Sequence, residues 1–312
     1  MNILFLSQIE PAARWIPGLS KLLPEDRIFT SDQFDPAAID VVLVATPPKG
    51  VIGTLPNVKL VQSLWMGVDG LLADPTFPRT KPLARLIDPG MVAAMTESVV
   101  SHVLDFHRHH YVYRAQQEQK KWHKLPQFMA SDRIVGILGM GELGTAVANK
   151  LLPFSFKVAG WKRRPSQTTA IDPRIDYYAG PSGIDELLAR SDAVVCLLPL
   201  TDGTRGVLNA KAFAKMPRGG CVINVARGAH IVVADLIAAL DSAQLAHAYL
   251  DVFETEPLPQ DSPLWSHPGV TVTPHTAALT EPRTAMVKVV ENIERVRNGL
   301  PALNLVDFGA GY

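Results

Sequence analysis

The chain lacks several features that would each point to a particular class of protein. Only two cysteines occur in 312 residues. Cys196 and Cys221 both fall in apolar, strand-like runs, which excludes a disulfide framework and reads as small core residues in a reducing compartment. Net charge is missing too, because Lys+Arg and Asp+Glu are both 30. Without a whole-molecule field, nucleic acid and anionic lipid are not expected partners. No apolar run is long enough to span a bilayer. The opening MNILFLSQ has no basic lead and a very short apolar run, so it reads as a first strand and not a signal peptide. Internal repeats and low-complexity segments are absent. The expectation is a soluble, cytoplasmic protein. It is 47% hydrophobic and 19% charged, and too long for one comfortable core, so two domains are expected.

Short apolar runs alternate with helical patterns, which argues for parallel sheets with crossover helices. The first series is NILFLS, RIFT, VVLVA, KLVQSL and LARLI. A long helix is expected from about Met91 to Gln119, with Val92, Met95, Val99, Val103 and Phe106 on one apolar face. A second series begins at Arg133, with RIVGIL, KVAGW, DAVVCLL, CVINVA, AHAYLDVF and VTVTP as strands. A last helix runs from Thr280 to Arg297 and stops at Asn298-Gly299. The tail can return to the first domain. The boundaries expected are 1–98 with 278–312 for a discontinuous first domain, and 99–277 for the second.

GILGMGELG places Gly139, Gly141 and Gly144 in a GxGxxG pattern between a strand and the helix ELGTAVANKLL. The first glycine permits a tight turn, the second lets backbone approach a pyrophosphate, and the third lets helix and strand pack closely. The helix N-terminus then offers unpaired N–H groups to the phosphates. The alternative is a glycine-rich packing turn. Where the next strand ends, an acidic residue would bind the adenosine ribose 2′-OH. Here Lys162, Arg163 and Arg164 stand instead. Cations favour a 2′-phosphate, hence NADPH/NADP+ over NADH/NAD+, with NADH still possible. The alternative is a solvated charged turn.

Three further stretches lie at or past strand ends, the ligand edge of an open α/β sheet. INVARGAH carries Arg227, DVFETEPLP carries Glu256, and TVTPHTAAL carries His275. Each has an ordinary reading: Arg227 in an ion pair, Glu256 as a solvated loop carboxylate, His275 as a satisfied core histidine. Their joint placement favours a site.

On these stretches the chain resembles the D-isomer-specific 2-hydroxyacid dehydrogenases, and within them the bacterial glyoxylate/hydroxypyruvate reductases of the A type. WMGVDGLL, the glycine turn, LLPLTDGTRGVLN, NVARGAHIV, ALDSAQL, LDVFETEPLPQDSPLWSHPGVTVTPHTAALT and the final GY carry the likeness. The resemblance implies two Rossmann-like or flavodoxin-like open parallel-sheet domains with the active site in the cleft between them. It implies NADPH-dependent reduction of glyoxylate and hydroxypyruvate to glycolate and D-glycerate. Arg227 would bind the substrate carboxylate and polarise its carbonyl. His275 would be the general acid, oriented by Glu256. Trp65, Met66 and Gly67 would offer backbone N–H groups to the carboxylate. Trp65 departs from the small residue usual at its position. It could narrow the pocket, swing outward, or simply pack in the core. Asp251 would position the nicotinamide carboxamide. Around the cofactor the resemblance also places Met140, Glu142 and Leu143 in the turn and Trp161 before the bases. Leu198, Pro199 and Ala226 complete that set. A homodimer through the nucleotide domains is implied as well. Another D-2-hydroxyacid dehydrogenase, or a non-catalytic dinucleotide sensor of the same fold, are the alternatives.

His107, His109 and His110 read as a polar helix face, not as metal ligands. His230 is placed at the rim of the site. The polar run YRAQQEQKKWHK (113–124) reads as a solvated helix end or part of an arm.

Overall fold

Every residue of Val41–Ala45 is buried, as a strand must be when both faces of its sheet are covered. In the computed structural model, which describes residues 1–30, 34–163 and 172–312, this strand is β3. It joins β1 (Asn2–Ser7), β2 (Arg27–Phe29), β4 (Leu60–Ser63) and β5 (Leu83–Ala84) in a parallel sheet ordered β2-β1-β3-β4-β5. The helices α1 (Ala12–Leu22) and α2 (Asp69–Ala73) alternate with these strands.

The chain divides into two units, Met1–Met91 with Thr280–Tyr312, and Val92–Leu279. The helix α3 (Pro89–His107) spans the first division. Asp88 caps it, accepting the N–H groups of Gly90 at 2.9 Å and Met91 at 3.2 Å.

The expected helix to Gln119 is in fact two. His109 takes a left-handed φ of 58°, and α4 (His110–Glu118) restarts after it. On one continuous helix Phe106 and Tyr111 would lie about 140° apart. The break lets their rings stack, 6.2 Å between centroids. His107 is buried edge-on against Phe156, which corrects the reading of a polar histidine face. Among the described residues, no group of His, Cys, Asp or Glu is placed to hold a metal ion. No described helix is long and apolar enough to cross a membrane.

The second unit continues β6 (Ile134–Leu138), α5 (Glu142–Leu151), β7 (Lys157–Lys162), β8 (Ile175–Ala179), α6 (Gly180–Arg190), β9 (Ala193–Cys196) and α7 (Ala210–Lys215). It closes with β10 (Gly220–Asn224), α8 (Val233–Asp241), β11 (Leu245–Leu250) and β12 (Val270–Val272). The parallel sheet is ordered β12-β11-β10-β9-β6-β7-β8. Its order reverses between β6 and β9, the switch point of a Rossmann sheet, where such folds bind dinucleotides. Strand β8 was not expected. Its sequence, IDYYA, has one buried residue and no clean alternation, as suits an edge. Both cysteines are buried and free, on β9 and β10. Burial pushes the Cys196 thiol up to about 12, so both behave as core residues.

The chain returns to the first unit with α9 (Pro282–Arg297). There Asn292 is buried and donates to Gln62 Oε1 at 2.7 Å, while its own oxygen accepts the Leu303 N–H at 2.7 Å. These bonds fasten α9 and the tail to β4.

In the second unit, a polar cluster joins α3, α4 and β11. Arg114 holds Asp105 with two bonds of 2.6 and 2.9 Å, and Tyr249 donates to the same carboxylate. His247 lies between Tyr111 and Tyr249, with centroids 4.4 and 4.7 Å away. Its Nε2 faces Thr271 Oγ1 at 2.8 Å. Burial lowers its pKa to about 4, against the pull of Asp105. The folded state therefore holds it neutral, while the unfolded chain protonates it near 6.5. Stability from this site is complete above about pH 6.5 and is lost as pH falls toward 4. The urea midpoint is expected to fall between pH 7 and pH 5, with His247→Gln flattening part of that fall. An unchanged slope in the variant contradicts this account.

Candidate active site

A methyl group added to Gly144 would sit 2.1 Å from the Gly139 carbonyl oxygen. One added to Gly139, whose φ is 109°, would sit 2.7 Å from Leu197 O. Both glycines are forced by packing. Gly141 is different, because a methyl there meets nothing within 4 Å. The turn thus leaves open space at its middle glycine, where backbone must approach a pyrophosphate. Gly141 is the N-cap of α5, and Thr145 N–H to Gly141 O, at 2.9 Å, is an early helical bond. The amides ahead of it, Glu142 and Leu143 included, lie among the donors that a helix start leaves unpaired. Glu142 and Gly141 are exposed, so this donor set faces outward. The donor set and the open space fit a dinucleotide phosphate.

Other expected cofactor residues have different jobs. Met140 is buried, and its side chain fills the space over Gly160. Its amide, like that of Gly139, donates to Trp161 O at 3.1 and 3.0 Å. Trp161 turns its ring into the core and donates Nε1–H to Gly180 O at 2.8 Å. By side chain, then, Met140 and Trp161 build the turn and do not line it, a correction to the sequence reading. Leu198 and Ala226 are buried at loop starts past β9 and β10. Pro199 O accepts the Thr204 hydroxyl at 2.7 Å.

Lys162 ends β7, in register with Ala179 at the end of β8. It is half-buried, and Arg163 after it is exposed. No acidic residue occupies either position. Arg164 lies outside the described residues.

The loops after β10, β11 and β12 supply the three charged candidates, and these strands are neighbours in the sheet. His275 Nδ1 lies 2.7 Å from Glu256 Oε2. The other oxygen of Glu256 accepts the Phe253 N–H at 2.9 Å, so the carboxylate is fixed at both ends. His275 has a φ of 53°, and its N–H donates to Asp251 O at 2.8 Å. Its ring remains half exposed, with 51% of the side chain accessible. Holding Nδ1 leaves Nε2 as the atom that can exchange a proton with a ligand.

Arg227 follows β10 and is partly exposed. The next residue, Gly228, packs so tightly that a methyl there would lie 1.9 Å from Phe253 C. The Arg227 turn therefore rests directly on the backbone that holds Glu256. His230 does not rim the site, as the sequence suggested. It is fully buried, its ring nitrogens facing Arg227 O at 3.1 Å and Pro199 O at 3.3 Å.

Sequence reasoning missed the part played by Asp251. It is 1% exposed. Its Oδ1 accepts the Thr273 hydroxyl at 2.6 Å and the Thr276 N–H at 2.9 Å, and its Oδ2 accepts the Ala277 N–H at 3.0 Å. It thereby shapes the turn that carries His275. An aspartate standing directly after the apolar run AHAYL was the available signal.

Residues 100–277 match the family model described as D-isomer specific 2-hydroxyacid dehydrogenase, NAD binding domain. Over its full length the chain is 39% identical to a glyoxylate/hydroxypyruvate reductase A of Yersinia enterocolitica, with 100% of both chains covered. The chain belongs to the D-isomer specific 2-hydroxyacid dehydrogenases. One solved relative is the family member from Xanthobacter autotrophicus in complex with NADPH and MES. It is 40% identical, covers 100% of this chain and 99% of its own, and has a TM-score of 0.94. Another is the NADPH-dependent glyoxylate/hydroxypyruvate reductase of Sinorhizobium meliloti, in complex with NADP and sulfate. It is 36% identical, with the same coverage and a TM-score of 0.91. This dehydrogenase is accordingly an NAD(P)-dependent oxidoreductase, and its two parallel-sheet units are those of the family.

The two kinds of glycine separate experimentally. Gly144→Ala in this dehydrogenase should lower stability by about 1–3 kcal/mol through overpacking. Gly141→Ala, at a helix N-cap, should cost about 1 kcal/mol or less and still weaken dinucleotide binding by at least about tenfold. Thermal denaturation and cofactor titration measure both. Unimpaired binding in Gly141→Ala would rule out the phosphate cradle.

Proposed function

We propose that this enzyme reduces glyoxylate and hydroxypyruvate, as small 2-keto acids, to glycolate and D-glycerate with NADPH. The observation that carries the reading is the 2.7 Å pair of His275 and Glu256, set beside the Arg227 turn at the ligand edge of a dinucleotide-binding sheet. The names of full-length relatives support the substrate class. NADPH in the Xanthobacter relative and NADP in the Sinorhizobium one support the cofactor. So do Lys162 and Arg163 at the end of β7, where an acid would repel a 2′-phosphate.

Arg227 binds the substrate carboxylate with its planar donors and draws electron density from the neighbouring carbonyl. A bound nicotinamide supplies the hydride to that carbon. His275 delivers the proton from Nε2 to the carbonyl oxygen as it gains charge, and takes it back in the reverse direction. Glu256 keeps the imidazole in one orientation and balances its charge when it is protonated. Met66 and Gly67, partly exposed after β4, are proposed to meet the carboxylate with their N–H groups, while Trp65, whose own N–H is held by Ser63 Oγ at 3.1 Å, is proposed to border the substrate with its side chain. Asp251 has one acceptor position beyond its three internal bonds, which we assign to the nicotinamide carboxamide. Leu198, Pro199 and Ala226 are proposed to line the cofactor site. A cytoplasmic homodimer through the nucleotide-binding unit completes the reading. Its support is the segment before β6, where Trp122 is 93% and Met129 70% exposed.

Steady-state assays over a panel of 2-keto acids with both coenzymes test the proposal. NADPH oxidation with glyoxylate or hydroxypyruvate is expected, and His275→Ala should lower kcat by about a hundredfold or more with a smaller effect on NADPH binding. Replacing Arg163 and Arg164 with neutral residues should raise KM for NADPH much more than for NADH. No turnover above blank, or equal rises in both KM values, would overturn the substrate and the cofactor assignment respectively.

A further inference from the structure

Glu10 and Trp65 meet in the first unit, and the mechanism above gives Glu10 no part. Trp65 follows β4, and its indole Nε1–H donates to Glu10 Oε1 at 3.2 Å. Glu10 follows β1, and β3 lies between β1 and β4. The bond therefore links the loops on either side of β3 at the C-terminal edge of the sheet, where open parallel sheets take their ligands, and the partly buried indole packs against the core of the unit. Glu10 is anchored on its other side. Its Oε2 accepts Nε1–H of Trp15 at 3.1 Å, and Trp15 is fully buried on α1. Only 12% of the Glu10 side chain is exposed, with Arg14 facing it at 3.8 Å.

The two loops are held as well as the side chains. Ser7 Oγ accepts the N–H groups of Glu10 at 2.7 Å and Ile9 at 3.2 Å. Ser63 Oγ accepts the Trp65 N–H at 3.1 Å and donates to Trp65 O at 2.9 Å. A buried carboxylate loses much if either partner is removed. With one indole N–H on each oxygen, it fixes one rotamer of Trp65, which a free tryptophan with two rotatable bonds would not keep.

We propose that Glu10 is a positioning residue that clamps the Trp65 indole across this edge, and that the clamped ring limits the size of the 2-keto acid side chain accepted. The proposal rests on the substrate reading above, in which the 65–67 loop meets the substrate. The clamp accounts for a large residue at a substrate loop without asking it to move. It makes Trp65 a fixed boundary that admits a hydrogen or a one-carbon substituent on the carbonyl, and it makes selectivity depend on a carboxylate that touches no substrate.

The test is kcat/KM with NADPH for glyoxylate, hydroxypyruvate, 2-ketobutyrate and phenylpyruvate. Trp65→Ala and Glu10→Ala are expected to raise the phenylpyruvate-to-glyoxylate ratio by about tenfold or more, with KM for NADPH within about twofold of wild type. Glu10→Gln keeps an oxygen for the Trp65 indole and should stay nearer the wild-type ratio. Trp65→Phe keeps a ring without its N–H, so it reads the clamp even if Glu10→Ala does not fold; it should move the ratio in the same direction by a few-fold. Trp15→Phe removes the anchor on the other oxygen of Glu10, so it should lower the melting temperature and move the ratio in the same direction by less than Glu10→Ala does. A ratio unchanged in Trp65→Ala and Trp65→Phe, or equal losses for every substrate, overturns the clamp while the enzyme still works. A wild-type enzyme that reduces none of the panel overturns the substrate reading and the clamp together.

Discussion

The candidate active site depends on the carboxylate of Asp251. Three donors from one short turn, Thr273, Thr276 and Ala277, converge on it, and its own carbonyl accepts the His275 N–H. A charge buried at 1% exposure is tolerable only when hydrogen bonds surround it. Here those bonds bend the chain after β12 so that His275 takes a left-handed conformation and presents Nδ1 to Glu256. The Asp251 N–H donates to Asn224 O at 3.0 Å, and the Asn224 side chain donates to Arg227 O at 2.9 Å. One polar chain thus joins the turns that carry the histidine and the arginine.

The same economy of backbone appears at the glycine turn. Gly139 and Gly144 are small because neighbouring backbone leaves no room, and Gly141 is small where the chain leaves space outside. Met140 and Trp161 support this arrangement from beneath. In the first unit, Glu10 plays a comparable part for Trp65. In each place one residue fixes the position of another that is proposed to meet a ligand.

Much of this was legible in the sequence, and the physical reasons are specific. Parallel strands buried on both faces leave continuous apolar runs, so VVLVA and CVINVA announced β3 and β10. The glycine spacing follows from local sterics, and Arg227, Glu256 and His275 stand at strand ends that the same runs locate. What could not be read depends on partners distant in sequence. The break at His109 serves the stacking of Phe106 on Tyr111 across a changed helical phase. Strand β8 lies at a sheet edge, and IDYYA carries little burial signal. Trp161 and Met140 belong to the core because Gly180 and Gly160 receive them. The buried ring of His230 answers to two carbonyls, one from a turn 31 residues away. The orientation of Trp65 required Glu10, 55 residues earlier.

The most direct test of the central claim is the single-turnover rate of hydride transfer in Asp251→Asn, measured with cofactor saturating so that weakened binding does not enter. An amide at this position keeps one acceptor oxygen and sets its NH2 against either the Ala277 N–H or the Thr276 N–H, so one of these bonds is lost and the turn loosens. That rate is expected to fall by about a hundredfold, the scale that follows when a catalytic group is displaced by about 1 Å. A wild-type rate in the folded variant would contradict it, because His275 would then hold its place without the carboxylate.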